Sequence, residues 1–174
     1  MSSVVLVSFA RTPIGSLSGS LSQLLAPKLG SAAIAGALSK IGGVNALESH
    51  NVEVILGNVV SAGVGQAPAR QAAKAAGLPN STQCTTLNKV CASGMKSAMY
   101  GASSIMLGSD NVVIAGGFES MSRIPHYMMG GRVGEVSFMM RMRATTKLTL
   151  FPSIRLARFT RLSAVPQTWQ RDTH

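Results

Sequence analysis

The chain has 174 residues, 46% of them hydrophobic, and a formal net charge of +10. That apolar share is ordinary for a globular chain of one or two small domains. The two cysteines, Cys84 and Cys91, have no disulfide-framework spacing, so a reducing compartment is the default, and no apolar run reaches the roughly 18 residues of a membrane span.

Residues 4–9 form a continuous apolar, β-branched run, as in a buried strand of a largely parallel sheet. The run is too short for a signal peptide and lacks a basic flank, and no basic, acid-poor presequence precedes it. The cytoplasm is therefore the expected compartment. Arg11 to Gly15 ends the strand in a turn. Residues 24–41 read as a helix of small and apolar side chains, stopped by Gly42 and Gly43. A second buried strand covers 52–56. A glycine loop over 61–68 leads into a short alanine helix over 67–76, stopped by Gly77 and Pro79. A polar strand over 84–88, a helix over 91–107 and an apolar strand over 111–115 follow. Strands alternating with helices give an α/β layered sheet.

The stretch from Asn88 to Lys96 is the focus of the chain. It places Cys91 at the junction of a strand and a helix that is apolar or small on every face and carries one charge, Lys96. Such a helix is expected to be buried on all sides. Gly94, Gly101 and Gly108 recur along it and predict a close approach by another backbone. A thiol at a helix N-terminus meets free N–H groups and the helix dipole, a setting that favours the thiolate.

Composition changes near Glu135. Residues 1–136 hold nine Lys/Arg and five Asp/Glu, whereas 137–174 hold seven Lys/Arg, one acid and no glycine. This predicts a well-specified domain over 1–136 and a basic, poorly ordered tail over 137–174. The tail has few aromatics and no recognition motif, so nucleic acid is not an expected partner, and with no membrane-length apolar run neither is a membrane.

Four blocks stand in register: residues 10–15, 65–71, 85–96 and 115–122. Together they resemble the N-terminal domain of the thiolase family, most of all its biosynthetic acetyl-CoA acetyltransferases. The resemblance covers residues 4 to about 136. It implies an α/β fold, the layered α/β/α N-terminal half of a thiolase, with a mixed, mostly parallel sheet and a buried central helix. It makes Cys91 the catalytic nucleophile, acetylated by acetyl-CoA before a second acetyl-CoA is condensed to acetoacetyl-CoA. Acetyl-CoA and CoA are then the small-molecule partners, with no metal and no prosthetic group. The family's homodimers or homotetramers supply the expected assembly. Thiolases also use a histidine in a Gly-His-Pro motif and a second cysteine in a Cys-x-Gly motif. Neither motif occurs in these residues. The resemblance therefore implies a truncated form with an unrelated tail and little activity alone, or a non-catalytic partner of an intact thiolase.

Other candidates carry less. A lone cysteine in a buried helix reads as an inert core residue, and only the surrounding motif reverses that for Cys91. Cys84 lacks such a context and is expected in the core. Glu119 is expected to be a structural hydrogen-bonding carboxylate rather than a base. Lys89 and Lys96 flank the nucleophile without an assigned role. Gly63 and Gly65 are followed by no Lys-Ser/Thr pair and read as a tight turn near a dimer interface. His50, His126 and His174 have no metal-ligand spacing.

Overall fold

The computed structural model of the chain describes residues 4–126 and the backbone of 160–163. Its strands are β1 (Leu6–Ala10), β2 (Val52–Gly57), β3 (Gln83–Leu87), β4 (Val112–Gly117) and β5 (Thr160–Ser163). Its helices are α1 (Ala26–Leu38), α2 (Pro68–Ala75) and α3 (Ser93–Met106). The sheet order is β1-β5-β4-β2-β3. β2 pairs in parallel with β3 and β4, while β5 is antiparallel to both of its neighbours. The sheet is thus mixed and mostly parallel, as the sequence implied.

Alternation along β2 and β4 creates the layers. Val54, Leu56, Val112 and Ile114 face α1 and α2, where Ile34, Leu38, Ala69 and Ala72 complete the larger core. Ile55, Val113 and Ala115 point the other way, toward Ala98 and Ile105 of α3. Successive side chains of a strand leave opposite faces, so a strand covered on both sides must be apolar throughout. Each strand buries aliphatic surface at about 25 cal/mol per Å² on both sides.

Small residues let the layers close. A Cβ on Gly30 of α1 would lie 3.1 Å from the Ala72 Cβ of α2, and one on Gly101 of α3 would lie 2.8 Å from Val113 of β4. Gly108 is different. It has φ +76° and stands beyond the end of α3, where Ser109 N–H donates to Ser104 O and Gly108 N–H to Ile105 O. It closes the helix in a left-handed turn that L side chains resist.

Three expectations need correction. β1 is not a buried strand: Leu6, Val7 and Phe9 are exposed, because β1 is one of the sheet's two outer strands. α3 is not buried on all sides. Ser93, Ser97 and Gly101 face inward, but Met95, Met99, Tyr100, Met106 and Leu107 are exposed, and no described residue covers that face. The tail does not stand wholly apart, since Thr160–Ser163 pairs within the central sheet. Backbone hydrogen bonding places it there, a contribution that side-chain pattern does not encode. The rest of 137–174 lies outside the described residues.

Candidate active site

The carboxyl ends of the parallel strands β2, β3 and β4 converge on one edge, the place where open α/β sheets bind ligands. Asn58 follows β2, Asn88 follows β3, and Phe118 and Glu119 follow β4. Backbone bonds lock the three ends together: Asn58 N–H donates to Leu87 O and Phe118 N–H to Gly57 O, each at 3.0 Å. Cys91 emerges from this edge, two residues before α3 begins.

The chain reaches Cys91 through a sharp elbow. Val90 has φ +50°, a left-handed conformation that is a genuine outlier for a β-branched residue. Its neighbours hold it there. Val90 N–H donates to Asn88 Oδ1 at 2.8 Å, and Val90 O accepts from Ser93 Oγ at 2.6 Å. Ser93 Oγ also accepts from Lys89 N–H at 2.8 Å, and Asn88 Nδ2 donates to Val59 O at 3.1 Å. Strain of this kind persists only where surrounding structure over-determines it, and it clusters at functional sites.

Close approach of α3 sets the depth of the elbow. A Cβ on Gly57 would lie 2.5 Å from Ser93 Cβ and 2.9 Å from Gly94 N, and one on Gly117 would lie 3.2 Å from Gly94 Cα. The glycines at the ends of β2 and β4 thus admit the first turn of α3 directly onto the sheet. Ser97, fully buried, donates its hydroxyl toward Gly94 O and Gly116 O, both at 2.7 Å, and ties that turn to β4.

Cys91 itself is exposed and free. Ala92 N–H and Ser93 N–H are engaged internally, with Lys89 O and Val90 O as acceptors. These two amides are therefore not the ones available to an anion beside the thiol. Cys84 behaves differently, as the sequence suggested. It packs against the larger core, and burial pushes its thiol above the ordinary value despite the nearby Arg70. The two cysteines divide into a surface thiol on an elbow and a half-buried thiol in a strand.

Glu119 is a strut. Its carboxylate accepts from Asn58 Nδ2 at 2.8 Å and from Val59 N–H at 2.8 Å, with Val60 N–H at 3.3 Å. Burial raises its pKa above the usual carboxylate value, and the hydrogen bonds from Val59, Val60 and Asn58 oppose that rise. The sequence reading found Glu119 but missed its partner Asn58, which gives no motif signal. Asn58 is buried, and its Oδ1 has no hydrogen-bond partner among the described residues.

The remaining candidates do not join Cys91 in a catalytic set. Lys96 lies over the Tyr100 ring at 4.4 Å, and Lys89 is exposed. His50 contacts Ser49 ahead of β2, at the opposite edge of the sheet. His126 is exposed, and His174 lies outside the described residues. Gly63 and Gly65 do form a tight turn, with φ +70° and +89°, which Gln71 braces by donating to Val64 O and Gln66 O. No metal-binding cluster and no membrane-length apolar helix occurs among the described residues.

The sequence of residues 4–153 matches the family model described as "Thiolase, N-terminal domain". The chain belongs to the thiolase family. It is 58% identical over 131 residues to Acetyl-CoA acetyltransferase 2 of Arabidopsis thaliana, covering 75% of this chain and 32% of that protein. It is 56% identical over 129 residues to the mitochondrial acetyl-CoA acetyltransferase of Homo sapiens, covering 74% of this chain and 29% of the relative. The fold is similar to that of Acat5 thiolase from Ascaris suum, solved in complex with coenzyme A, with a TM-score of 0.70 and 41% identity over 79% of this chain and 34% of that one. The chain spans about a third of the length of these thiolases. The layered α/β/α arrangement read from the sequence is the fold of this thiolase domain.

Proposed function

We propose that this chain is the nucleophile-bearing part of an acyl-CoA C-acetyltransferase, with Cys91 as the acetyl acceptor. The observation that carries the reading is Cys91 itself: exposed, free and held on a strained elbow at the carboxyl edge of the sheet. In the reaction, the Cys91 thiolate attacks the thioester carbonyl of acetyl-CoA, the carbon–sulfur bond to CoA breaks, and CoA leaves as its thiol after taking up a proton. A base then removes a methyl proton from a second acetyl-CoA. The resulting carbanion attacks the acetyl-cysteine carbonyl and releases Cys91 and acetoacetyl-CoA. Thiolysis is the reverse sequence. CoA thioesters are the substrates, and the reading invokes no metal or prosthetic group. A reducing compartment such as the cytoplasm suits a free thiol of this kind. Homodimers or homotetramers remain the proposed assembly.

A second reading is favoured by the outer face of α3. Met95 is 63% exposed and Leu107 82% exposed, and Met99 and Met106 are exposed beside them. An apolar stripe of this extent marks a packing surface. On this reading the chain is a non-catalytic partner of an intact thiolase.

Mass spectrometry after incubation with acetyl-CoA separates the two. The first reading expects one added acetyl group on the peptide containing Cys91 and none in Cys91→Ala. Equal acetylation of the Cys91→Ala chain would sink it.

A further inference from the structure

β5 occupies a position that the strands on either side leave open. β1 and β4 run in the same direction but do not pair with each other. Both pair with β5: Leu6, Ser8, Phe9 and Ala10 on one side, and Val113, Ile114, Ala115 and Gly116 on the other. Without an occupant, the facing edges of β1 and β4 would each present a row of unpaired N–H and C=O groups. On β4 those groups belong to a buried strand, since Val113, Ile114 and Ala115 are all fully buried. Buried backbone groups require partners.

β1 depends on the same position. Its other described polar ties run to α1 and the turn after it: Ser8 Oγ donates to Ala37 O and Lys40 Nζ to Phe9 O, both at 2.8 Å. Its place in the sheet therefore runs through β5. Yet β5 begins at Thr160, beyond residue 153, where the family match ends.

We propose that residues 160–163 are a complementing strand donated in cis, by which a segment outside the thiolase match fills the slot between β1 and β4. The slot fits a short extended segment running antiparallel to β4. Recognition is by main-chain hydrogen bonds, which tolerate sequence change. That tolerance is what lets a segment with no family pattern serve. The tail is then a structural part of the domain, and its removal opens two edges at once.

Hydrogen exchange on the full 174-residue chain tests this, read on peptides covering 6–10 and 112–117. Both are expected to be protected in the parent chain. Arg161→Pro removes a donor from the middle of β5. It is expected to speed exchange in both peptides by about tenfold or more, with a smaller change over 83–87. Adding a synthetic peptide of residues 157–166 is expected to restore protection. Equal protection in parent and variant overturns the proposal, as does an absence of protection at 6–10 in the parent. A cross-link covers the case in which the proline variant does not fold. In a Cys84→Ser, Cys91→Ser background, Phe9→Cys with Arg161→Cys is expected to form a disulfide under oxidised glutathione, because the register places these positions opposite each other. Phe9→Cys with Thr168→Cys is the control. Equal disulfide yield from the two pairs overturns the proposal.

Discussion

At the scale of single residues, the two cysteines have the same chemistry and opposite surroundings. Cys91 is exposed at the elbow, whereas Cys84 packs against the core with its pKa raised chiefly by burial. Alkylation by iodoacetamide at neutral pH is expected to label Cys91 at least about tenfold faster than Cys84, because the thiolate is the reactive form and access is required. Peptide mapping of a time course checks this, and faster labelling of Cys84 would contradict it. Glu119 gives a second test. Its folded-state pKa lies above the unfolded value, so the folded chain binds this proton more tightly. The contribution of this group to stability is therefore present at low pH and declines as pH rises from the ordinary carboxylate range through the raised value. Glu119→Gln is expected to remove that slope. It is also expected to destabilise by about 1–3 kcal/mol, because a carboxamide offers one acceptor where Asn58 Nδ2 and Val59 N–H need two. Urea unfolding at several pH values measures both effects, and an unchanged slope would rule out the assignment.

At the scale of elements, most of the fold was legible because the chain punctuates its elements with glycine and proline. Pro27 sits in the first turn of α1, Gly42 adopts φ +96° at the end of the short helical turn Ser39–Ile41 that follows α1, and Gly77 adopts φ +91° after α2. Apolar runs marked β2 and β4 for the same reason that they are buried on both faces. The glycine stripe on α3 was read correctly at Gly101, which meets Val113, and incorrectly at Gly108, which serves a turn. The elbow was not legible, since nothing in the letters Lys89-Val90-Cys91 signals a positive φ at a valine. Asn88 and Ser93 stabilise it from either side by hydrogen bonds that only the folded geometry shows. Gly57 is the point where β2 and α3 meet most closely. Gly57→Ala is expected to cost about 1–3 kcal/mol, because its methyl group would meet Ser93 and the Gly94 backbone rather than a flexible side chain. Denaturant unfolding of the variant checks this, and parent-like stability would show that the contact can relax.

At the scale of the whole molecule, the largest open apolar surface lies on one helix. α3 presents Met95, Met99, Met106 and Leu107 on a side that no described residue covers, and the chain spans only about a third of the thiolases it resembles. Composition made α3 look buried everywhere because a sequence records which side chains are apolar, not which of them other residues cover. β5 was missed for the complementary reason, since main-chain pairing leaves little mark on side-chain pattern. These 174 residues contain neither the Gly-His-Pro nor the Cys-x-Gly motif. The chain assayed alone is therefore expected to condense acetyl-CoA several orders of magnitude more slowly than an intact thiolase, as loss of one member of a coupled catalytic set does.

A chimera addresses the central claim, that these residues form a working nucleophile half, most directly. Residues 4–136 of this chain replace the matching segment of the Arabidopsis thaliana acetyl-CoA acetyltransferase, which is 58% identical over 131 residues. Acetoacetyl-CoA formation by the chimera is expected within about tenfold of the parent enzyme and is expected to fall by about a thousandfold or more on Cys91→Ala. A folded chimera whose activity is unchanged by Cys91→Ala would contradict the account.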